Sequence, residues 1–321
     1  METRHIDTIR LTNFKRFENL EVRELGQFNL IVGDNNVGKT SLLESLVVNP
    51  NLEASFFFLL DILFFKKFKK EIFNKDVEAF ANKRNLFNRT FEIKITHTSG
   101  VEDIKNEFVI SNKEKSFEIK IERSRFEKGE YKKLISFSEP ESQLENIYDR
   151  SFNGQSPMLT YYYSKSPFLP FGRQFENDLL SFFSKLQEKR SVLRKYISNL
   201  KKTLLPNLSD IVISLGENGV SPSLLVYEEN DDRGLPLSLY GDGTIKLANI
   251  LAEITLQSGK RLMIDEIDAG IHYTRYKTFW KVILQAAKEN QVQLFMTTHN
   301  EECIKYYREA IEELQFEAEA R

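Results

Sequence analysis

Cysteine is almost absent from this sequence of 321 residues, in which Cys303 stands alone. A single cysteine excludes an internal disulfide framework and an all-cysteine zinc site, and it indicates a reducing compartment. The first ten residues, METRHIDTIR, are charged and contain no apolar stretch, which argues against a secretory signal peptide. We therefore expect a cytoplasmic protein.

Long apolar runs and an excess of one charge sign are also missing. The run ASFFFLLDILFF, residues 54–65, is interrupted by Asp61 and followed by KKFKK, whereas a membrane-spanning helix needs about 20 apolar residues. It fits an interfacial helix or a buried or partner-covered helix, and we predict no membrane partner. The chain has 45 basic and 47 acidic side chains, so its net charge does not favour binding to nucleic acid. A local basic surface that binds nucleic acid is still compatible with this composition.

No repeat, low-complexity tail or long Gly/Ser linker divides the chain, and 41% apolar residues support a real core. The pattern predicts one α/β domain over 1–321, with a core formed by residues 1–48 and 205–308. The inserted residues 49–204 are expected to comprise a Phe-rich helical segment at 51–88, an antiparallel β lobe at 91–164 and a basic helix at 174–204. The basic residues between Lys185 and Lys202 predict either a face for nucleic acid or a solvated surface.

The strongest motif follows the apolar run FNLIVG, residues 28–33, which is typical of a buried strand. Residues 33–40, GDNNVGKT, match G-x-x-x-x-G-K-[ST], and a helical pattern follows at 40–48. In such a phosphate loop, backbone N–H groups surround the phosphates of a nucleotide. Lys39 is predicted to reach the β- and γ-phosphates, and the Thr40 hydroxyl to ligate Mg²⁺.

Two carboxylates, Asp265 and Glu266, end the apolar strand pattern RLMID. In doubly wound sheets ligands bind at the carboxyl ends of the strands. Asp265 is therefore expected to hold Mg²⁺, and Glu266 to orient and deprotonate an attacking water. The alternative is a strand that ends in a solvated acidic turn.

A second strand pattern ends in TTHN, residues 297–300. His299 at this strand end is expected to contact the γ-phosphate and to report its presence. The alternative for a lone histidine at a strand end is a structural role.

A second glycine-rich segment, SLYGDGT at residues 238–244, precedes a helical pattern. Such a helix start can bind an anion, or it can be a plain loop in which Asp242 or Thr244 caps the helix. One nucleotide does not need two phosphate-binding loops from one chain. Two copies arranged head to tail would supply one loop of each kind to each site.

The order of GDNNVGKTS, YGDGT, LMIDEIDAGIH and TTHN resembles that of ABC-type ATPase heads, in particular the OLD-like and RecF/SMC-like AAA-family ATPases of bacteria. The opening LTNFKRFENLEV is also similar to the first strand of those heads. The resemblance covers residues 4–48 and 205–308. It implies an α/β P-loop fold with a mixed-sheet core, an antiparallel β lobe and a helical insertion, and a homodimer that shares its ATP sites and hydrolyses ATP with Mg²⁺.

The resemblance also implies a role for each matching position. The Walker A loop would contain Asn35, Asn36, Val37, Gly38, Lys39, Thr40 and Ser41, and Lys15 would lie near the phosphates. The signature residues Ser238, Gly241, Asp242 and Gly243 would act on the ATP of the partner copy. Asp265 and Glu266 would be the Walker B pair, Asp268, Ala269 and Gly270 the D-loop followed by His272, and His299 the switch histidine.

Several positions depart from the wider family. Tyr240 occupies the place of the serine in LSGGQ, while Ser238 gives the S-x-x-G-D-G-T form of the OLD-like group, which argues against a transporter subunit. The Q-loop glutamine is not identified, and Gln155 is only a candidate. No heptad arm is present, which excludes a full SMC coiled coil. The 22 residues after His299 leave no room for a TOPRIM nuclease domain, although a chain truncated at Arg321 would look the same.

Three functions therefore stay open. The first is the ATPase or sensor subunit of a bacterial antiphage system that works with a separate effector protein. The second is a RecF-like repair ATPase that acts on DNA through the basic face. The third is an ATP-dependent assembly scaffold with little turnover.

Overall fold

The computed structural model describes residues 5–46, 91–99, 104–113, 116–140, 168–169, 175–203, 205–215 and 222–321. The Phe-rich segment predicted at 51–88, the candidate Gln155 and the end of the predicted β lobe lie outside the described residues. Within them, no helix has the length and apolar character required to cross a membrane.

The elements follow in chain order. The strands are β1 Thr8–Phe14, β2 Phe17–Val22, β3 Phe28–Val32, β4 Phe91–Ser99, β5 Ile104–Lys113, β6 Ser116–Glu127, β7 Glu130–Pro140, β8 Phe168–Leu169, β9 Leu208–Leu215, β10 Pro222–Glu228, β11 Leu235–Pro236, β12 Arg261–Ile264 and β13 Gln293–Thr298. The helices are α1 Lys39–Ser45, α2 Phe175–Gln187, α3 Arg190–Thr203, α4 Asp242–Leu256, α5 Tyr276–Glu289 and α6 Glu301–Leu314.

The chain divides into two compact units, of which one comprises residues 4–25 and 40–166. Its antiparallel sheet has the order β2-β1-β4-β5-β6-β7. Alternation explains the first strands, because Ile9 and Leu11 are buried while Arg10 between them is exposed and pairs with Glu21. The predicted antiparallel β lobe is confirmed, and β1 joins it by pairing Ile9 with His97 of β4.

The other unit comprises residues 1–3, 26–39 and 167–321 and contains two sheets. A parallel sheet has the order β3-β13-β12-β8, and an antiparallel sheet has the order β11-β10-β9. Strands β12 and β13 are buried along their whole length, which explains the apolar runs 262–264 and 294–296 within them. The mixed α/β fold class is therefore confirmed.

The basic helical stretch predicted as one element consists of two helices, α2 and α3. They are separated at Glu188–Lys189, within a run from Gln187 to Arg190 that is exposed. This run has no apolar side chain to hold it against the core, so the chain turns there and each helix buries its own apolar stripe. The division predicted from the sequence into a core and an insertion stays a prediction.

Candidate functional site

The ends of three parallel strands bring the main sequence motifs to one edge of a sheet. Strand β13 lies between β3 and β12, with Thr298 beside Val32 and Met296 beside Ile264. The phosphate loop, residues 33–40, follows β3, and His299 follows β13. The carboxylate pair Asp265–Glu266 follows β12. Because parallel strands end on the same side, the sheet gathers three motifs that are far apart in the sequence.

The phosphate loop has the backbone that close approach to phosphate requires. Gly38 has φ 106°, a left-handed conformation that glycine adopts without a steric penalty. The Lys39 ammonium donates hydrogen bonds to the carbonyl oxygens of Gly33, at 2.5 Å, and Asp34, at 2.8 Å. Its positive charge therefore lies over the loop itself. The side chains of Asn35, Asn36 and Val37 are exposed around it.

Threonine hydroxyls at the end of β13 hold the acidic turn after β12. The Thr297 hydroxyl donates to Asp265 Oδ1 at 2.7 Å and accepts the backbone N–H of Glu266 at 2.8 Å. The Thr298 hydroxyl donates to Asp268 Oδ1 at 2.6 Å. Sequence analysis gave a role only to His299 in this segment and missed both threonines. The available signal was a pair of hydroxyls at the end of a buried strand.

Glu266 itself has an uncommon backbone conformation. Its φ is 46°, in the left-handed region that few non-glycine residues occupy. Such a conformation persists when neighbouring groups fix it from several sides, and it is frequent at functional sites.

A buried lysine touches the same turn from the opposite side. Lys246 on α4 is only 6% exposed. Its ammonium donates to the backbone carbonyl oxygens of Glu266, at 2.5 Å, and Ala269, at 3.0 Å. Burial lowers the pKa of Lys246 to about 8, against the opposing effect of the carboxylates of Asp268 and Glu266. Sequence analysis missed this residue, although a lysine within the apolar stretch IKLANILAEI was a signal.

The signature segment forms a 3₁₀ turn, Leu237–Tyr240, and then α4 begins at Asp242. Between residues 222 and 321 no side chain caps the first turn of α4, so the alternative that Asp242 or Thr244 caps this helix is wrong. The Thr244 hydroxyl instead donates to the Tyr240 carbonyl at 2.9 Å. Tyr240 is anchored by a hydrogen bond to Glu228 Oε1 at 3.0 Å, and burial with this bond raises its pKa to about 12.

The start of α4 touches the turn that follows the carboxylate pair. A Cβ on Gly243 would lie 2.5 Å from the Gly270 carbonyl oxygen, so this close backbone contact requires glycine. A pocket of about 390 Å³ opens beside the contact. Its lining includes Tyr240, Asp242, Thr244, His272, Arg275 and Thr278. The His272 ring lies 4.5 Å from that of Tyr273, and its Nδ1 lies 2.9 Å from Thr274 Oγ1.

The hydrogen bonds described above do not involve the other predicted site residues. Ser238 and His299 are exposed. In the unit that contains the β lobe, Lys15 forms an ion pair with the buried carboxylate of Glu44 on α1, the helix that continues from the phosphate loop through Thr40 and Ser41. Sequence analysis gave Glu44 no role. The nearness of Lys15 to phosphates stays a prediction.

Magnesium would find oxygen ligands of a suitable kind here. In the described residues no group of three or more His, Cys, Asp or Glu side chains is arranged to hold a metal ion. Mg²⁺, however, commonly binds through one or two protein oxygens while phosphates and water complete its shell. The Asp265 carboxylate matches that requirement chemically, and the role of the Thr40 hydroxyl stays a prediction.

Comparison with known proteins adds three findings. A family model described as "AAA domain, putative AbiEii toxin, Type IV TA system" matches residues 28–304. A curated Helicobacter pylori protein named "ATP/GTP phosphatase" is 26% identical over 97% of this chain and 90% of its own length. A "DNA replication and repair protein RecF" from Oceanobacillus iheyensis is 41% identical over 44 residues, 12% of its length.

A solved structure resembles the whole fold. It is an Smc head bound to the C-terminal winged-helix domain of ScpA, with a TM-score of 0.53 and 14% identity. The alignment covers 94% of this chain and 91% of that chain. At this identity the likeness concerns the fold.

Proposed function

Because the chain belongs to the AAA-domain family whose model matches residues 28–304, we propose that it is an ATP-driven switch in which two copies close on shared ATP. The chain is an ATPase with a P-loop head fold that resembles SMC heads. The observation that carries the proposal is the arrangement of β3, β13 and β12, which present the phosphate loop, His299 and Asp265–Glu266 at one sheet edge.

In the proposed hydrolytic step, each site residue has a defined role. Lys39, Asn35, Asn36, Val37, Gly38, Thr40 and Ser41 bind the phosphates. Asp265 and Thr40 would hold Mg²⁺, which would supply charge neutralisation at the phosphates. Glu266 orients water for in-line attack and accepts its proton, while His299 contacts the γ-phosphate. The hydroxyl of Thr297 keeps Asp265 and the Glu266 backbone in place.

The signature segment supports sharing of ATP between copies. Gly241 and Asp242 are exposed, and within residues 222–321 no side chain occupies the first-turn N–H groups of α4. A helix start of this kind favours an anion. We assign that anion as the γ-phosphate of the partner's ATP, bound by Ser238, Gly241, Asp242 and Gly243.

The switch is proposed to serve a cytoplasmic antiphage system with a separate effector protein. The S-x-x-G-D-G-T signature motivates this assignment. Closure of the dimer would change the surface that the effector contacts. Purification of the native complex with the products of neighbouring genes, followed by mass measurement with and without ATP, tests it. Recovery of the ATPase alone under both conditions would contradict it.

A second candidate function is direct action on DNA. One side of α3 exposes Arg190, Arg194 and Lys202, and within the described residues Arg190 and Arg194 have no ion-pair partner. Lys195 and Lys201 are instead paired with Glu289 and Glu229. The exposed cations extend over about 18 Å of helix, enough to contact several phosphates.

Replacement of Glu266 by Gln separates turnover from assembly. We expect Glu266→Gln to lower phosphate release by at least about 100-fold because the general base is lost, while ATP binding is kept. Glu317→Gln, at an exposed residue near the chain end, is the matched control and should retain wild-type turnover. Unchanged phosphate release in Glu266→Gln would refute the assignment of the base. Dimerisation with ATP in a wild type that shows no turnover would favour the scaffold function.

A further inference from the structure

The side chain of Lys246 joins the helix of the signature segment to the turn that carries Glu266. The helix α4 starts at Asp242, so Lys246 lies about one turn after the signature glycines. Its two acceptors are main-chain oxygens of Glu266 and Ala269. The bond at Glu266 therefore acts on the backbone of the residue assigned as the base.

The peptide groups on both sides of Glu266 are fixed. Its N–H is accepted by the Thr297 hydroxyl on β13, and its C=O accepts from Lys246 on α4. With φ at 46°, this backbone needs such support, since the left-handed conformation is disfavoured for side chains with a Cβ. The Glu266 carbonyl also accepts the N–H of Ala269 at 3.0 Å, and the N–H of Ile267 donates to the Thr297 carbonyl at 2.9 Å. Loss of the Lys246 bond is therefore expected to loosen the backbone of Glu266 and to shift its carboxylate, not to unfold the turn.

Desolvation limits how much Lys246 stabilises the fold. Burial of an ammonium group disfavours its charged form, which is why the pKa of Lys246 is lowered to about 8. An apolar side chain of equal length would avoid that cost and would fit the apolar surroundings of α4, where Ile245, Leu247 and Ala248 are buried. A buried ammonium whose two hydrogen bonds join the signature helix to the turn of Glu266 is placed to serve the function as well as the fold.

We propose that Lys246 is a positioning residue that couples the signature segment of each copy to its own Glu266. When the start of α4 engages the partner's ATP, the helix carries Lys246 with it, and Lys246 sets the carbonyl of Glu266. The close contact between Gly243 and Gly270 gives the two segments a second point of attachment. Hydrolysis in one pocket then depends on occupation of the other. This inference rests on the proposed function.

The experiment compares Lys246→Met, which keeps the length of the side chain and removes its donors, with Lys246→Arg, which keeps charge and donors. Lys260→Met, at an exposed lysine outside the site, is the control. For each protein, kcat, the KM for ATP, the thermal midpoint and ATP-dependent dimerisation are measured.

Lys246→Met is expected to lower kcat about tenfold or more, with KM changed less than about threefold, because a displaced base slows chemistry rather than binding. The thermal midpoint should change by only a few degrees, because loss of the bonds to the Glu266 and Ala269 carbonyls offsets relief of the buried charge. Dimerisation should persist, and Lys246→Arg should recover at least part of kcat. A purely structural lysine would instead lower kcat and the midpoint together.

Wild-type kcat in Lys246→Met, while Glu266→Gln abolishes turnover, would overturn the inference and leave the proposed function intact. Loss of kcat in step with loss of folded protein would overturn it too. If Lys246→Met gives no folded protein, Lys246→Gln, with one donor group, replaces it under the same criteria. Failure of wild type to hydrolyse ATP or dimerise would instead count against the proposed function.

Discussion

At the residue scale, the acidic turn depends on uncharged hydroxyls as well as on the ammonium of Lys246. Thr297 serves two partners with one hydroxyl, donating to Asp265 and accepting from the Glu266 backbone. Both it and Asp265 are buried, so the hydroxyl works where water does not replace it easily. The geometry of Asp265 and Glu266, which follow β12, is therefore set by the neighbouring strand β13.

Thr297→Val tests this arrangement because valine keeps the shape of the side chain and removes the hydroxyl. We expect the free energy of unfolding to fall by about 1–3 kcal/mol, since a buried donor and acceptor lose their partner. Urea denaturation provides the measurement. Thr297→Ser, which retains the hydroxyl, should lose less. Equal stability of Thr297→Val and wild type would show that the two bonds contribute nothing.

The sequence predicted the residues of the motifs better than their supports. GDNNVGKT and the Asp265–Glu266 pair stand at strand ends as expected, because an apolar run followed by a polar turn is a strong local signal. Thr297, Thr298, Glu44 and Lys246 were missed, since their partners lie far away in the chain. Which hydroxyl or ammonium meets which backbone atom is decided by strand order, which local patterns do not contain.

At the element scale, α4 carries the ammonium group of Lys246, whose charged form is disfavoured by burial. Lys246 lies close to the carboxylates of Asp268, Glu266 and Asp265 and to Cys303, yet desolvation is the dominant effect and lowers its pKa from 10.5 to about 8. The unfolded chain therefore binds more protons than the folded chain between pH 8 and pH 10.5. It follows that Lys246 makes the free energy of unfolding rise with pH across this window.

Lys246→Met should remove this rise. The shift corresponds to no more than about 3 kcal/mol between the ends of the window. Chemical denaturation at about pH 7.5 and about pH 9.5 measures the effect, with Lys260→Met as a control that keeps the wild-type pH dependence. An identical pH dependence in wild type and Lys246→Met would mean that the ammonium is hydrated in the folded protein.

The helix α3 allows a separate test of DNA binding. Arg190→Glu combined with Arg194→Glu reverses two exposed charges without touching the buried Tyr196 or Leu200. If α3 contacts phosphates, the logarithm of the binding constant should become less dependent on salt, with a slope smaller by about 2 units. Fluorescence anisotropy with a short duplex in the presence of ATP provides the measurement. Wild-type binding and slope in this variant would exclude α3 as the DNA surface.

The same region shows where element prediction failed. One basic helix was expected at 174–204, but α2 ends at Gln187 and α3 begins at Arg190. Helical periodicity continues across the break, because both helices pack apolar side chains such as Phe183 and Leu200 into one cluster. The change of direction comes from tertiary packing, which a pattern along the chain does not record.

At the scale of the whole molecule, the sequence alone was enough for the α/β class. Strands β3, β12 and β13 contain apolar runs, which indicated the buried strands of a mixed-sheet core, and β4–β7 alternate as antiparallel strands do. The pairing of β1 with β4 could not be foreseen, because a period of two identifies a strand but not its neighbour. The assembly, by contrast, is inferred from two phosphate-binding loops on one chain.

The mass of Glu266→Gln in solution tests the shared ATP site most directly, because this variant should bind ATP without consuming it. With ATP and Mg²⁺ we predict a particle of twice the mass of the chain, which is 37.6 kDa, containing two nucleotides. Without nucleotide, or with Lys39→Ala added, the mass should return to that of one chain. A monomer that binds ATP fully, or a dimer that forms equally well without ATP, would contradict the account.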